Sequence, residues 1–235
     1  MDRLPDRSHF VALIPAYNES RHISTVIHKT QNYLPVLVVD DGSKDDTAAL
    51  AEAVGARVLR QVPNQGKGAA LRAGYRYVLE QDYAGLVMLD ADGQHDPDEI
   101  PKFLEAYAKS GADLIIGKRS FADMPFSRRL ANEVGTQAFS WAIGRPIADN
   151  HSGYRLLSRR MLEATLESKE SSFEFEVEMI VECVQHGYPM DWVSIQTIYG
   201  DQKSHIRPIP HIIHFFRIVW KTYQVMQKHR SLTRR

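Results

Sequence analysis

The stretch LVMLDADGQHDPDEI, residues 86–100, joins four apolar residues to five carboxylates, Asp90, Asp92, Asp96, Asp98 and Glu99. The apolar run reads as a buried strand, and the carboxylates crowd its carboxyl end. Like charges at close range repel, and desolvating them is unfavourable. Either water solvates them or something positive stands among them. The same pairing of a bare apolar run with a polar loop recurs on both sides of this stretch. FVALI (10–14) precedes PAYNES (15–20), and VLVV (36–39) precedes DDGSKDDT (40–47). ARVL (56–59) precedes NQGKGAALRAG (64–74), and DLIIG (113–117) precedes KRS (118–120).

Helical patterns fill the intervals. One runs from Ser20 to about Asn32 and another starts near Asp45. A third covers residues 66–82, with Ala70, Leu71, Gly74, Tyr75 and Val78 at helical spacing. Pro97 suits the first turn of a fourth. Continuous apolar strands alternating with helices predict an α/β fold with a mainly parallel central sheet flanked by helices. After Gly117 the rhythm changes: residues 127–143 read as helix, YRLLS (154–158) as strand, 173–186 as helix and WVSIQTI (192–198) as an alternating strand. No repeat or long linker divides the chain, so the two halves are expected to form one domain that completes a cleft.

The 235 residues, 43% hydrophobic, suffice for such a core. The formal net charge of zero argues against nucleic acid as a partner. The charge is unevenly spread, however: residues 201–235 carry eight Lys or Arg against one acid, a net of +7 that the first 200 residues offset. Such an end suits an anionic surface. The single cysteine, Cys183, excludes an internal disulfide and fits a buried thiol in a reducing compartment. MDRLPDRSHF has no apolar signal segment, and no stretch reaches the roughly 18 apolar residues of a membrane span.

In an open α/β sheet, ligands bind beyond the carboxyl ends of the strands, where these polar loops lie. A dinucleotide fold requires G-x-G-x-x-G after the first strand, where this chain has PAYNES. QGKGAAL lacks the Ser or Thr that a P-loop places after its Lys, and an EF-hand starting at Asp90 would have its Gly at the wrong position. What remains is Asp-x-Asp at a strand tip. Asp90 and Asp92 share a face of an extended chain. A turn at Gly93 lets both carboxylates and the Gln94 amide converge on one cation. Oxygen ligands favour Mg2+ or Mn2+, which keep positions for water and phosphate oxygens. Asp96, Asp98 and Glu99 instead begin the next helix, where its dipole favours acids.

Taken in order, IPAYNES, VVDDGSKDDT, NQGKGAALRAGY, LDADGQHDPDEI, GKRS, DNHSGYRLLS, FEFEVEMI and TIYGDQKSHIRP resemble the family 2 glycosyltransferases of GT-A fold. The nearest branch is that of the polyprenyl- or dolichyl-phosphate mannosyltransferases. The resemblance covers residues 10–208 and implies a GT-A (nucleotide-diphospho-sugar transferase) domain over 1–208, followed by an amphipathic helix and basic tail over 209–235. It implies inverting, metal-dependent transfer of a hexose from a GDP- or UDP-sugar of the GDP-mannose or UDP-glucose type.

Residue by residue, the resemblance assigns the nucleotide sugar to Pro15, Tyr17, Glu19, Asp40, Asp41, Lys67, Asp90, Ala91 and Asp92, and the metal to Asp90, Asp92 and Gln94. It assigns an acceptor phosphate to Arg119 and to Arg129, with Arg128 as its alternate. Ser204, His205 and Arg207 join them from a closing loop. A hydroxyl acceptor would need a general base, for which Asp149, Glu174 and Glu176 are candidates. A phosphate acceptor, already anionic, needs none. Glu174 and Glu178 share a helix face that could equally be solvated. The acceptor is therefore polyprenyl phosphate or, alternatively, a soluble or saccharide hydroxyl. A non-catalytic nucleotide-sugar-binding protein is a further alternative.

Residues 208–228 read as an amphipathic helix with Ile212, Phe216, Val219, Trp220, Tyr223 and Met226 on one side and Arg217, Lys221, Gln224 and Lys228 on the other. Such a helix suits a membrane interface or docks on protein. The expected location is the cytoplasm, with peripheral contact on the cytoplasmic membrane face. Homo-oligomer formation is left open.

Overall fold

A computed structural model describes residues 9–119, 126–150, 152–168, 175–196 and 208–233, with side chains described outside 126–131, 208–214 and 232–233. Seven strands form one sheet in the order β3-β2-β1-β4-β6-β5-β7. The first four are β1 (Phe10–Ala16), β2 (Val36–Asp40), β3 (Arg57–Arg60) and β4 (Gly85–Met88), all parallel. β5 (Leu114–Arg119) and β7 (Met190–Ile195) are parallel to each other, and β6 (Arg155–Ser158) runs antiparallel between β4 and β5. The chain leaves β1 toward β2 and β3, then returns to place β4 on the other side of β1. The crevice between β1 and β4 is thus the switch point where such sheets bind ligands.

Strand residues alternate between two cores. Val11 and Leu13 join Leu71, Tyr75, Met161 and Ile180 on one face. Phe10, Ala12 and Ile14 join Ile23, Ile27, Phe103 and Leu104 on the other. The first face is covered by α3 (Lys67–Glu80), α6 (Arg159–Glu167) and α7 (Phe175–Gln185), the second by α1 (Ile23–Thr30), α2 (Thr47–Ala53) and α4 (Ile100–Ser110). The five α3 residues at helical spacing, Ala70, Leu71, Gly74, Tyr75 and Val78, are the five that α3 buries. Pro97 opens a single 3-10 turn, Pro97–Glu99, rather than the α-helix itself.

α6 has no counterpart in the sequence reading. Ser158 caps it by accepting from Met161 N–H at 3.2 Å, and it buries Met161, Leu162, Ala164 and Thr165. Two further helices, α5 (Phe126–Ile143) and α8 (Pro208–Thr233), lie side by side and parallel. Trp141 stacks on Tyr223 with centroids 4.7 Å apart, and two turns further along α8 Arg230 donates to the Ile143 carbonyl at 3.2 Å. That places a cation at the negative end of α5.

α8 also corrects the single apolar face read from the sequence. Ile218, Val219, Thr222 and Met226 turn into the protein, while Phe216 and Trp220 point away, 57% and 59% exposed. No described helix is long and apolar enough to cross a membrane.

Candidate active site

The loops after β1 and β2 are stitched together by polar side chains accepting from backbone N–H groups. Asn18, at φ 56°, takes Lys44 N–H at 2.8 Å on its Oδ1 and gives its own N–H to Ser43 Oγ at 2.9 Å. Glu19 N–H donates to Thr47 Oγ1 at 2.8 Å, and Ser20 N–H to Asp45 at 3.2 Å. Burial works against it, but hydrogen bonds from Thr47 and Ser20 together hold the Asp45 carboxyl at about 2. Asp41, nearly buried, accepts Gln65 N–H at 2.8 Å and Gly66 N–H at 2.7 Å, so its carboxylate sits at the positive end of α3. Asp40 takes Ser43 N–H at 3.2 Å and holds the turn; its other oxygen is buried without a hydrogen-bond partner among the described residues.

The positive charge among the acids is Lys67, the first residue of α3. Its Nζ lies 2.8 Å from Asp90 Oδ1 and 3.0 Å from Glu176 Oε1. Burial works against the ammonium, but these two carboxylates hold its pKa above the ordinary lysine value. In return, and against the same penalty, Lys67 draws Asp90 and Glu176 below theirs. Asp90 N–H donates to His95 Nδ1 at 3.0 Å, and burial lowers the His95 pKa, so His95 is a neutral acceptor. The SGYR turn lies directly over this group. A Cβ on Gly153 would stand 2.9 Å from Asp90 Oδ2, so only glycine permits the approach. Tyr154 then stacks 4.5 Å from Phe103 and donates to the Asp96 carbonyl at 3.0 Å.

Asp92, two residues on, is in a different state. Its Oδ1 accepts Gln94 N–H at 2.9 Å across the turn at Gly93, φ 78°. No cation pairs with it among the described residues. Burial and then repulsion from Asp92 raise the Glu19 pKa. The joint clamp expected of Asp90 and Asp92 is therefore half occupied by a lysine. Asp92 and Glu19 offer carboxylate oxygens, which suit a hard cation. Among the described residues no cluster of three His, Cys, Asp or Glu could hold a metal by itself.

A cavity of about 490 Å³ at these strand ends is lined by Pro15, Tyr17, Glu19, Asp41, Lys67, Asp90, Ala91 and Asp92, together with Ala16, Asn64, Gly66 and Ala70. Every residue expected to hold the nucleotide sugar lines it except Asp40. Tyr17 is 44% exposed and offers its ring to the cavity. The other three acids of the stretch are structural, as their place at a helix start implies. Asp96 caps Asp98 N–H at 3.2 Å, Asp98 accepts the Tyr33 hydroxyl at 2.9 Å, and Glu99 pairs with Lys102.

Where the sequence reading expected an acceptor phosphate, Arg119 and Asp149 face each other. Arg119 Nε and Nη2 donate to the two carboxylate oxygens at 2.8 and 3.0 Å. Asp149 is almost fully buried. Arg129 lies on α5, but its side chain, and that of Arg128, falls outside the described residues. Glu174, Ser204, His205 and Arg207 lie outside them altogether. The solvated face considered for Glu178 is corrected: Glu178 is 2% exposed and pairs with Arg72. The buried thiol expected at Cys183 is present, its pKa pushed up to about 12 by burial.

Arg155 is the residue that sequence reasoning passed over. Fully buried, it donates to the carbonyls of Ser152 (2.7 Å), Asn150 (3.2 Å) and Glu176 (2.6 Å), tying the turn over Asp90 to the start of α7. Its place within the SGYR motif was the available signal.

Residues 11–166 match the family described as Glycosyl transferase family 2. The chain is 30% identical over 203 residues to a polyprenol monophosphomannose synthase of Mycolicibacterium smegmatis, covering 79% of this chain and 76% of that one. It is 34% identical over 184 residues to an undecaprenyl-phosphate mannosyltransferase of Micrococcus luteus, covering 72% and 75%. Among solved structures, glucosyl-3-phosphoglycerate synthase of Mycobacterium tuberculosis, in complex with Mn2+, UDP and phosphoglyceric acid, superposes with a TM-score of 0.70. The identity is 20%, with 94% of this chain and 78% of that chain covered, a likeness that establishes the GT-A fold.

Proposed function

The chain belongs to glycosyl transferase family 2 and is a glycosyltransferase, and from that premise we propose that it moves a hexose, mannose or glucose, from a GDP- or UDP-sugar to polyprenyl phosphate with inversion at the anomeric carbon. The observation that carries the reading is one cavity fed by four strand ends, with an aromatic face, a lysine, and an aspartate that has no cation beside it. Pro15 and Tyr17 give the base a surface. Glu19 and Asp41 accept from base N–H groups or ribose hydroxyls, and Asp40 fixes the turn that presents Asp41. Lys67 stands at the diphosphate. Mg2+ or Mn2+, held by Asp92 and Gln94 together with Asp90 once Lys67 turns from it to the diphosphate, would neutralise charge on the leaving group.

Arg119, oriented by Asp149, holds the acceptor phosphate in bidentate fashion. Arg129, Ser204, His205 and Arg207 complete that side. A phosphate monoester arrives anionic, so orientation and charge neutralisation suffice without proton removal. A hydroxyl acceptor would need a free base. Asp149 is engaged by Arg119 and Glu176 by Lys67, which favours phosphate. In this reading residues 1–208 carry the chemistry, and 209–235 make peripheral contact with the cytoplasmic membrane face that presents the lipid.

The test is incubation with GDP-mannose or UDP-glucose and undecaprenyl or dolichyl phosphate, with and without Mg2+ or Mn2+. The expected products are a glycosylated lipid phosphate and free GDP or UDP, formed only with the cation. Transfer to a soluble hydroxyl acceptor in place of the lipid phosphate refutes the acceptor, and undiminished turnover of Asp92→Ala refutes the metal role.

A further inference from the structure

α8 spends one side on the protein core, yet its other side is not polar. Phe216 and Trp220 stand one turn apart, 57% and 59% exposed, and beside them α5 presents Val134 and Trp141, 54% and 62% exposed. The two helices share this face. Trp141 stacks on Tyr223 at 4.7 Å, and Tyr223 on Trp220 at 5.8 Å. Two of the three tryptophans of the chain lie in it. Large apolar side chains gathered in one place mark a surface that meets something else.

The electrostatics select the partner. Residues 201–235 carry a net of +7, and Arg217 and Lys228 are exposed on the same helix. A second copy would bring like charges together, whereas an anionic bilayer attracts them. Tryptophan and tyrosine beside basic residues suit the headgroup layer. The position is also apt. A cavity of about 740 Å³ is lined by Trp141, Lys118, Arg145, Glu133 and Ala148 among others. Lys118 and Ala148 are the chain neighbours of the paired Arg119 and Asp149.

We infer that the aromatic face shared by α5 and α8 seats on an anionic lipid bilayer and brings the Arg119 side of the site to its surface. The inference rests on the lipid-phosphate reading of the acceptor. It differs from a lone amphipathic helix lying on the membrane, because half of the face belongs to α5 and Ile218, Val219 and Met226 are withheld from lipid.

The test uses the full chain with vesicles of phosphatidylcholine, with and without phosphatidylglycerol, and no donor or acceptor lipid. Wild type floats with the anionic vesicles, less so at high salt, and brominated lipid quenches its tryptophan fluorescence. Phe216→Ser/Trp220→Ser lowers the partition coefficient about tenfold or more and keeps turnover on a short-chain, water-soluble prenyl phosphate. Arg217→Ala/Lys228→Ala weakens binding at low salt without touching the aromatic face. Equal binding of wild type and the aromatic variant overturns the inference, as does failure of wild type to bind. So does a wild-type dimer in sedimentation that the aromatic variant loses. If vesicle binding follows the pattern but the short-chain phosphate is never glycosylated, the docking face stands and the acceptor reading falls.

Discussion

On the proposed donor side of the cleft, carboxylates and hydroxyls accept from backbone N–H groups, as Asp41 does from Gln65 and Gly66 and Thr47 from Glu19. On the proposed acceptor side, guanidinium groups donate to carbonyls and carboxylates: Arg155 to Ser152, Asn150 and Glu176, and Arg119 to Asp149. The first kind of tie is made by residues that also build turns, and it leaves an anionic rim. The second buries Arg155 fully and Arg119 in part, and a dehydrated cation is held only by the hydrogen bonds it makes. Lys67, between Asp90 and Glu176, is where the two halves meet. The donor side therefore tolerates the loss of one tie, while the acceptor side loses its frame with one guanidinium.

The largest effect falls on the acceptor side. Arg155→Met removes the hydrogen bonds to the Ser152, Asn150 and Glu176 carbonyls and the cation near Glu176; a loss of about 3–5 kcal/mol is expected in denaturant unfolding. A loss under 1 kcal/mol would break the comparison. Next comes a purely functional loss: Asp92→Asn lowers turnover about a hundredfold or more while its melting temperature does not fall.

Lys67→Met, at the junction, is smaller because the lysine is 42% exposed; about 1–2 kcal/mol after screening is expected. It also alters the acid limb of stability. Asp90 and Glu176 titrate below their ordinary 3.8 and 4.5, so as pH falls the unfolded chain takes up protons first. Their contribution is complete above about 4.5 and disappears as pH drops through the lowered folded values. Lys67→Met flattens that loss in unfolding curves taken across the acid range. The smallest effect is a gain. Glu19 has a raised pKa, so its ionisation opposes folding as pH rises past 4.5, and Glu19→Gln should stabilise the metal-free protein at pH 7 by a fraction of 1 kcal/mol.

The donor side was the legible one. Its apolar runs are the strands of the sheet, and its loops gather Tyr17, Asp41, Lys67 and Asp92 on one cavity. The acceptor side was less so, because its ties join residues whose relation leaves no mark in a local pattern. Glu178 passes for a solvated acid until Arg72, 106 residues earlier, is seen beside it. Arg155 pairs with carbonyls, which every residue has. β6 runs antiparallel, and the tetrapeptide RLLS does not encode its direction. α6 was readable: RRMLEATLE places Met161, Leu162 and Thr165 on one side behind a serine cap. α8 was half readable, since amphipathic spacing cannot tell which apolar residues meet protein and which point outward.

The most direct test of the central claim is a thermal-shift titration of wild type and Asp92→Asn with UDP and GDP, each with and without Mn2+. Ligand that binds only the folded state raises the melting temperature by mass action. The account predicts a rise in wild type that needs nucleotide and Mn2+ together and is lost in Asp92→Asn. An equal rise without Mn2+, or one retained in full by Asp92→Asn, would contradict it.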